Sequence, residues 1–291
     1  MKFKKVLIIG ETGFLGSSLM NHLSTDSLNI HFVNRSLFDL SEVIKPEFAD
    51  FMIQEKFQYV VICAAITDIE KCFKEQTLSN QINIVGTQRL LDLIKQNQAI
   101  PVFFSSDYVF SGKSSPYEEN DARNPTTIYG HQKLSTENFI ENNFDQFLIF
   151  RTSKLMSKTS HPKNILYPLI CDLVSGKSSR WFEDQLLNPV FVEDIAKVLK
   201  LAFMENLKGT FHLGTRRIYT RAEIGRFLAS SLGYDTQLIE SIRMRDILFS
   251  ERRPTNNTLN CEKIEKAVGF SFCELENSLS DLSRLIPIIQ T

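Results

Sequence analysis

The stretch that most constrains this chain is "KVLIIGETGFLGSSL", residues 5–19. A run of Val, Leu and Ile passes straight into Gly10, Gly13 and Gly16, and then into a segment with helical spacing. A strand buried on both faces, a tight turn and a helix together begin a βαβ unit. The glycines let the chain turn sharply, let backbone N–H groups approach a pyrophosphate, and let helix pack on strand. The helix N-terminus adds a preference for negative charge. A purely structural turn would not need three glycines in this spacing, so the context reads as a dinucleotide site.

Further apolar runs follow at residues 29–35, 57–65, 100–106 and 147–153, rich in Val, Ile and Phe. Runs apolar on both faces suit a parallel sheet covered by helices. Amphipathic segments at 77–96 and 129–141 lie between them. The alternation predicts an α/β chain with a doubly wound parallel sheet, a Rossmann fold, and a smaller interleaved C-terminal substrate-binding region. Residues 1–153 are expected to form the dinucleotide-binding domain, joined by 188–214, with 154–291 mainly binding substrate.

Composition narrows the class. The 291 residues are 43% hydrophobic and 23% charged, which excludes a disordered chain. Net charge is −1, with Lys and Arg spread along the sequence, so no nucleic-acid footprint and no membrane-surface helix is expected. The N-terminal apolar run is too short for a signal peptide, and no run has the length to span a bilayer. Cys63, Cys72, Cys171, Cys261 and Cys273 are odd in number without ligand spacing. They read as reduced thiols of a cytoplasmic protein, with no metal site.

The second strand should end beside the adenosine ribose, where a carboxylate would accept the hydroxyls and repel a 2′-phosphate. Here it ends in Asn34, Arg35 and Ser36. Arg35 suits a 2′-phosphate and favours NADPH over NADH, unless it merely faces solvent; Asp39 and Leu40 would border the adenine. Tyr129 and Lys133, four residues apart, share one face of a helix. A phenol with a pKa of about 10 is a poor acid–base catalyst at neutral pH. A nearby ammonium would stabilise the phenolate and lower that value. Ser106, at the end of a parallel strand, lies where such sheets bind ligands and could share a substrate oxygen with Tyr129.

Three stretches carry a wider likeness: "GETGFLG", "CAAITDIEKCF" followed by "NQINIVGTQRLL", and "SSDYVFSGKSSPYEENDARNPTTIYGHQKLSTE". With "RTS", "DQLLNP" and "RRP" further on, the chain resembles the extended short-chain dehydrogenase/reductases, and among them the dTDP-4-dehydrorhamnose reductase family. The resemblance implies a catalytic triad of Ser106, Tyr129 and Lys133. Tyr129 would protonate the C4 oxygen of a nucleotide-linked 4-keto-6-deoxy sugar in deoxysugar or polysaccharide synthesis. It implies cofactor contacts from Gly10, Thr12, Gly13, Phe14, Leu15, Gly16, Arg35, Asp39, Leu40, Cys63, Ala64 and Ala65. Ser105 and the segment Arg151, Thr152 and Ser153 would line the nicotinamide end, beside Tyr129 and Lys133. Substrate contacts are expected from Ser106, Asp107, Tyr108, Lys154, Arg252 and Arg253, the two arginines suiting a diphosphate. Asn83 would brace its helix against the active-site strands. Related reductases often pair as homodimers.

The same resemblance separates neighbouring reactions. Sugar-nucleotide dehydratases carry an Asp-Glu pair after the catalytic Ser or Thr; here Asp107 is followed by Tyr108. Epimerase-reductases carry Cys where Asp107 stands. Ketone reduction is left. Lys154, Leu155 and Met156 replace the family's Trp and aromatic residue, and Leu187 replaces a Gly, all on the sugar side. A repurposed pocket of this kind would also suit a regulatory subunit that binds NADP without turnover, like the methionine adenosyltransferase beta subunit. Trp181 would stack on a base or fill a core.

Overall fold

The computed structural model describes residues 3–23, 27–159 and 161–278. The apolar runs of the first half become β1 (Lys4–Ile9), β2 (Leu28–Val33), β3 (Tyr59–Ile62), β4 (Ile100–Ser106) and β5 (Leu148–Thr152). Four short strands follow: β6 (Leu155–Met156), β7 (Ser179–Phe182), β8 (Leu186–Leu187) and β9 (Val190–Phe191). Then come β10 (Gly209–Leu213), β11 (Tyr219–Thr220) and β12 (Ile239–Ile242). Six strands form one parallel sheet in the order β10-β5-β4-β3-β1-β2. The chain runs outward from β1 to β2 and then restarts on the other side at β3. That reversal leaves a crevice at the carboxyl ends of β1 and β3.

Helices cover both faces, as buried parallel strands require. On one face Val6, Ile8, Val61 and Phe150 pack with α1 (Phe14–His22), and with Ile195, Leu199 and Phe203 from further along the chain. On the other, Leu7, Ile9, Val60 and Ile149 meet α2 (Pro46–Glu55), α5 (Thr87–Gln96) and α6 (Ile128–Asn143). The short α3 (Ile69–Lys74) and α4 (Gln76–Asn80) lead into α5. The segment expected as one helix over 77–96 contains a π-helical turn, Gln81–Gly86. Such a turn widens the backbone locally. It turns Asn83 inward, and Gly86 rests against the Leu40 carbonyl where a side chain would collide.

A second core holds α7 (Leu166–Val174), α9 (Arg221–Ser231) and the buried Trp181. Trp181 is core packing here, with the Arg221 guanidinium 5.2 Å from its ring centre. Between these helices in sequence, α8 (Val192–Met204) lies against α1, and β10 pairs with β5. The chain then returns before α10 (Glu262–Val268). There Asn257 Nδ2 donates to the Asp107 carbonyl at 3.0 Å, and Asn256 bridges to Leu186. The final stretch, residues 279–291, lies outside the described residues.

Candidate active site

The crevice is shaped by close backbone approach. Gly10 has φ +97°, and a Cβ there would stand 2.6 Å from the Ala64 backbone nitrogen. Only glycine lets the end of β1 press on the end of β3 in this way. Gly10, Thr12, Gly13, Arg35, Asp39, Leu40, Cys63, Ala64 and Ala65 all line the crevice. Leu15 is instead buried in the sheet core, Phe14 stacks beside His161 with ring centres 4.8 Å apart, and Gly16 lies on the Gly10 carbonyl. These packing contacts leave their backbone at the start of α1 beside the crevice. Arg35 is largely exposed and 3.9 Å from the Asp39 carboxylate, which accepts from the Ser41 amide and hydroxyl. Those Ser41 bonds and the Arg35 charge hold Asp39 below the usual carboxylate range.

At the far end of the crevice β4 terminates in Ser105 and Ser106, side by side with Arg151 and Thr152 of β5. Thr127 caps α6, its hydroxyl accepting from the Gly130 amide at 3.1 Å. Gly130 is pressed against the Tyr108 carbonyl, a spot with no room for a Cβ. This contact brings Tyr129 to the end of β4. The Ser106 hydroxyl lies beside the phenol and favours its ionised form. Ser106 Oγ in turn donates to Asp107 Oδ1 at 2.8 Å. Tyr108 approaches Tyr129 edge-on, ring centres 6.2 Å apart. Lys133 Nζ donates to the Phe104 carbonyl at 2.8 Å and sits 5.9 Å from the Tyr129 ring centre.

The electrostatics reverse one expectation. Burial, and then the Asp107 carboxyl, push the Tyr129 phenol above its ordinary value instead of below it. The Lys133 ammonium is turned to a backbone carbonyl, and its own burial lowers it to about 8. Burial also raises Asp107 to about 7, against the opposing Ser106 hydrogen bond and Lys154 charge. Lys154, an exposed residue just past β5, has its pKa lowered by desolvation of the ammonium and then by the Arg221 charge.

Arg151 turns its side chain into the protein. Its guanidinium is fully buried, donating to Glu137 at 2.9 and 3.0 Å and to the Glu119 carbonyl at 2.8 Å. It locks β5 to α6. Thr152 donates to the Ser105 carbonyl, while the Ser105 and Ser153 hydroxyls are buried without a partner among the described residues. Arg252 is exposed and contributes its carbonyl to Thr126. Arg253 pairs with Glu70 at 2.7 Å, lies over Phe249, and keeps a buried Nε without a partner. Asn83 holds both backbone groups of Ile66 and donates to Gln132 at 2.7 Å, so it ties the crevice wall to α6. Lys163, Ile66 and Ile82 also line the crevice. Sequence reasoning missed all three; only the "HPK" loop of the second region carries a visible charge. Among the described residues no cluster of His, Cys, Asp or Glu could hold a metal, and no helix is long and apolar enough to cross a membrane.

The family profile of the RmlD substrate binding domain matches residues 4–286. The chain belongs to that family. Among curated relatives it is 27% identical to the probable low-salt glycan biosynthesis reductase Agl14 of Haloferax volcanii, over 77% of this chain and 76% of that protein. It is 26% identical to methionine adenosyltransferase 2 subunit beta of Xenopus laevis, over 90% of this chain and 82% of the other. A dTDP-4-dehydrorhamnose reductase from Bacillus anthracis, solved in complex with NADP, superposes with a TM-score of 0.86. That structure is 22% identical and covers 99% of this chain and 100% of its own. That reductase therefore shares this fold.

Proposed function

We propose that the chain is an NADPH-dependent oxidoreductase, a reductase of a nucleotide-linked 4-keto-6-deoxy sugar in which Tyr129 is the general acid. The observation that carries this reading is the Tyr129–Ser106 pair held at the end of β4 beside the glycine-lined crevice. The crevice suits a dinucleotide: Gly10 and Gly13 line its wall, and a side chain at Gly10 would collide with the Ala64 backbone. NADPH bound in it would supply hydride to the ketone carbon.

The chain's own residues supply the proton and the orientation. A phenol held above its ordinary pKa is fully protonated at neutral pH, the form an acid must start in. As Tyr129 yields its proton, the Lys133 ammonium and the Ser106 hydroxyl stabilise the phenolate left behind. Asp107, raised to about 7 by burial, is partly neutral there and opposes that negative charge less than a full carboxylate would. Lys154, near Asp107, and Arg253, near Tyr108, would take the sugar and its diphosphate.

The test is NADPH oxidation followed by absorbance with dTDP-, UDP- and GDP-linked 4-keto-6-deoxy sugars. Turnover with at least one is expected, and Tyr129→Phe should reduce it by on the order of 10²–10⁴-fold while cofactor binding survives. Unchanged turnover in that variant would remove Tyr129 from the chemistry. Dinucleotide binding with no turnover on any sugar would favour a regulatory subunit, a reading supported by the likeness to methionine adenosyltransferase 2 subunit beta.

A further inference from the structure

We propose that Lys163 is a cofactor-binding residue, the cation set over the pyrophosphate of the bound dinucleotide by a strap formed from residues 161–163. Four charged side chains line the crevice: Glu11, Arg35, Asp39 and Lys163. Arg35 stands just past the end of β2, at the ribose end, and is engaged with Asp39. Lys163 comes from a different part of the chain, the loop ahead of α7, and reaches the crevice from above.

Two contacts fix where it arrives. The His161 ring stacks on Phe14, the first residue of α1, with centres 4.8 Å apart and planes tilted by 40°. The Lys163 amide donates to His161 Nδ1 at 3.1 Å. Burial and then the Lys163 charge lower the His161 pKa. The ring is therefore neutral at physiological pH and can accept that bond. The Lys163 backbone is thus pinned beside Phe14, at the N-terminus of α1. That terminus has no side-chain cap and no acidic residue in its first turn, so no side chain of its own competes with an anion there. Glu11, in the glycine-rich loop before α1, would repel a pyrophosphate; the Lys163 ammonium offsets it.

This assignment concerns the cofactor alone and holds whichever sugar is reduced. It is read by titrating NADPH and NADH into the full chain, following nicotinamide fluorescence at low and high salt. NADPH and NADH share the pyrophosphate and differ only in the 2′-phosphate. Lys163→Ala should therefore raise the Kd of both by about tenfold, one charge-assisted contact, and flatten the salt dependence of both. Lys163→Arg should keep both close to the parent. Arg35→Ala serves as the contrast, weakening NADPH only. An unchanged pair of Kd values in Lys163→Ala would overturn the proposal. So would a loss confined to NADPH, which would move Lys163 to the 2′-phosphate. If the parent bound neither dinucleotide, the cofactor reading would fall and this assignment with it.

Discussion

Replacing Arg151 with Met separates two roles for one residue. The resemblance puts Arg151 at the cofactor, whereas its guanidinium is buried against Glu137 and the Glu119 carbonyl. Removing one partner of a buried ion pair costs about 3–5 kcal/mol, because the other charge is left without compensation. Glu137 keeps a second partner, Arg123 Nη1 at 2.9 Å, so the low end applies, about 3 kcal/mol. A chain of 291 residues unfolds with an entropy of about 0.6 kcal/mol/K, so Tm should fall by about 5 °C. Removing Glu137 as well, in Arg151→Met/Glu137→Leu, should recover most of that loss, since Arg123 is part-exposed and retains Glu141 at 2.9 Å. Differential scanning fluorimetry gives Tm, and NADPH titration of each variant gives Kd. A parent-like Tm in Arg151→Met together with an NADPH Kd raised about tenfold would refute the structural role and restore Arg151 to the cofactor.

Asp107 gives a pH signature. Its folded pKa is about 7, against about 3.9 in an unfolded chain, so between these values the folded protein holds a proton that the unfolded chain releases. Stability should therefore fall as pH rises through that window, by up to about 4 kcal/mol, and Asp107→Asn should remove the decline; parallel melting curves of parent and variant from pH 4 to pH 8 would contradict this. Gly130→Ala forces a methyl group into the Tyr108 carbonyl and moves Tyr129, so turnover should drop by on the order of 10²-fold. Thr127→Ala, which removes only the cap of α6, should cost about 1 kcal/mol and leave turnover nearly intact; equal activity loss in the two would contradict a positioning effect.

The sheet was readable because its strands are buried on both faces, which leaves uninterrupted apolar runs such as those of β1 and β4. The glycine turn and the Tyr129/Lys133 spacing were readable for a related reason: each is a local pattern whose geometry follows from chain chemistry alone. Side-chain direction was not. Ser105 and Ser106 are adjacent in sequence, yet one hydroxyl lacks a partner and the other donates to Asp107 beside Tyr129. Arg151 belongs to an "RTS" segment that points to the cofactor, but Glu137, fourteen residues earlier on α6, claims its guanidinium. The direction of the Tyr129 shift was equally hidden, since it depends on how tightly the ring is enclosed, and spacing carries no measure of that. Lys163 reaches the crevice from a loop more than a hundred residues after the glycines.

The threading of α8 and β10 back into the sheet has a consequence for how such a protein can change. A chimera joined at residue 153 would import a relative's edge strand and the helix lying on α1 along with its sugar pocket. Donor and host would then have to match across the β5–β10 seam, where Phe150 lies opposite Phe211. Cassette exchange is therefore a poor route to new specificity for this architecture. Drift in substrate range would proceed through point replacements at the rim, of the kind already visible at Lys154.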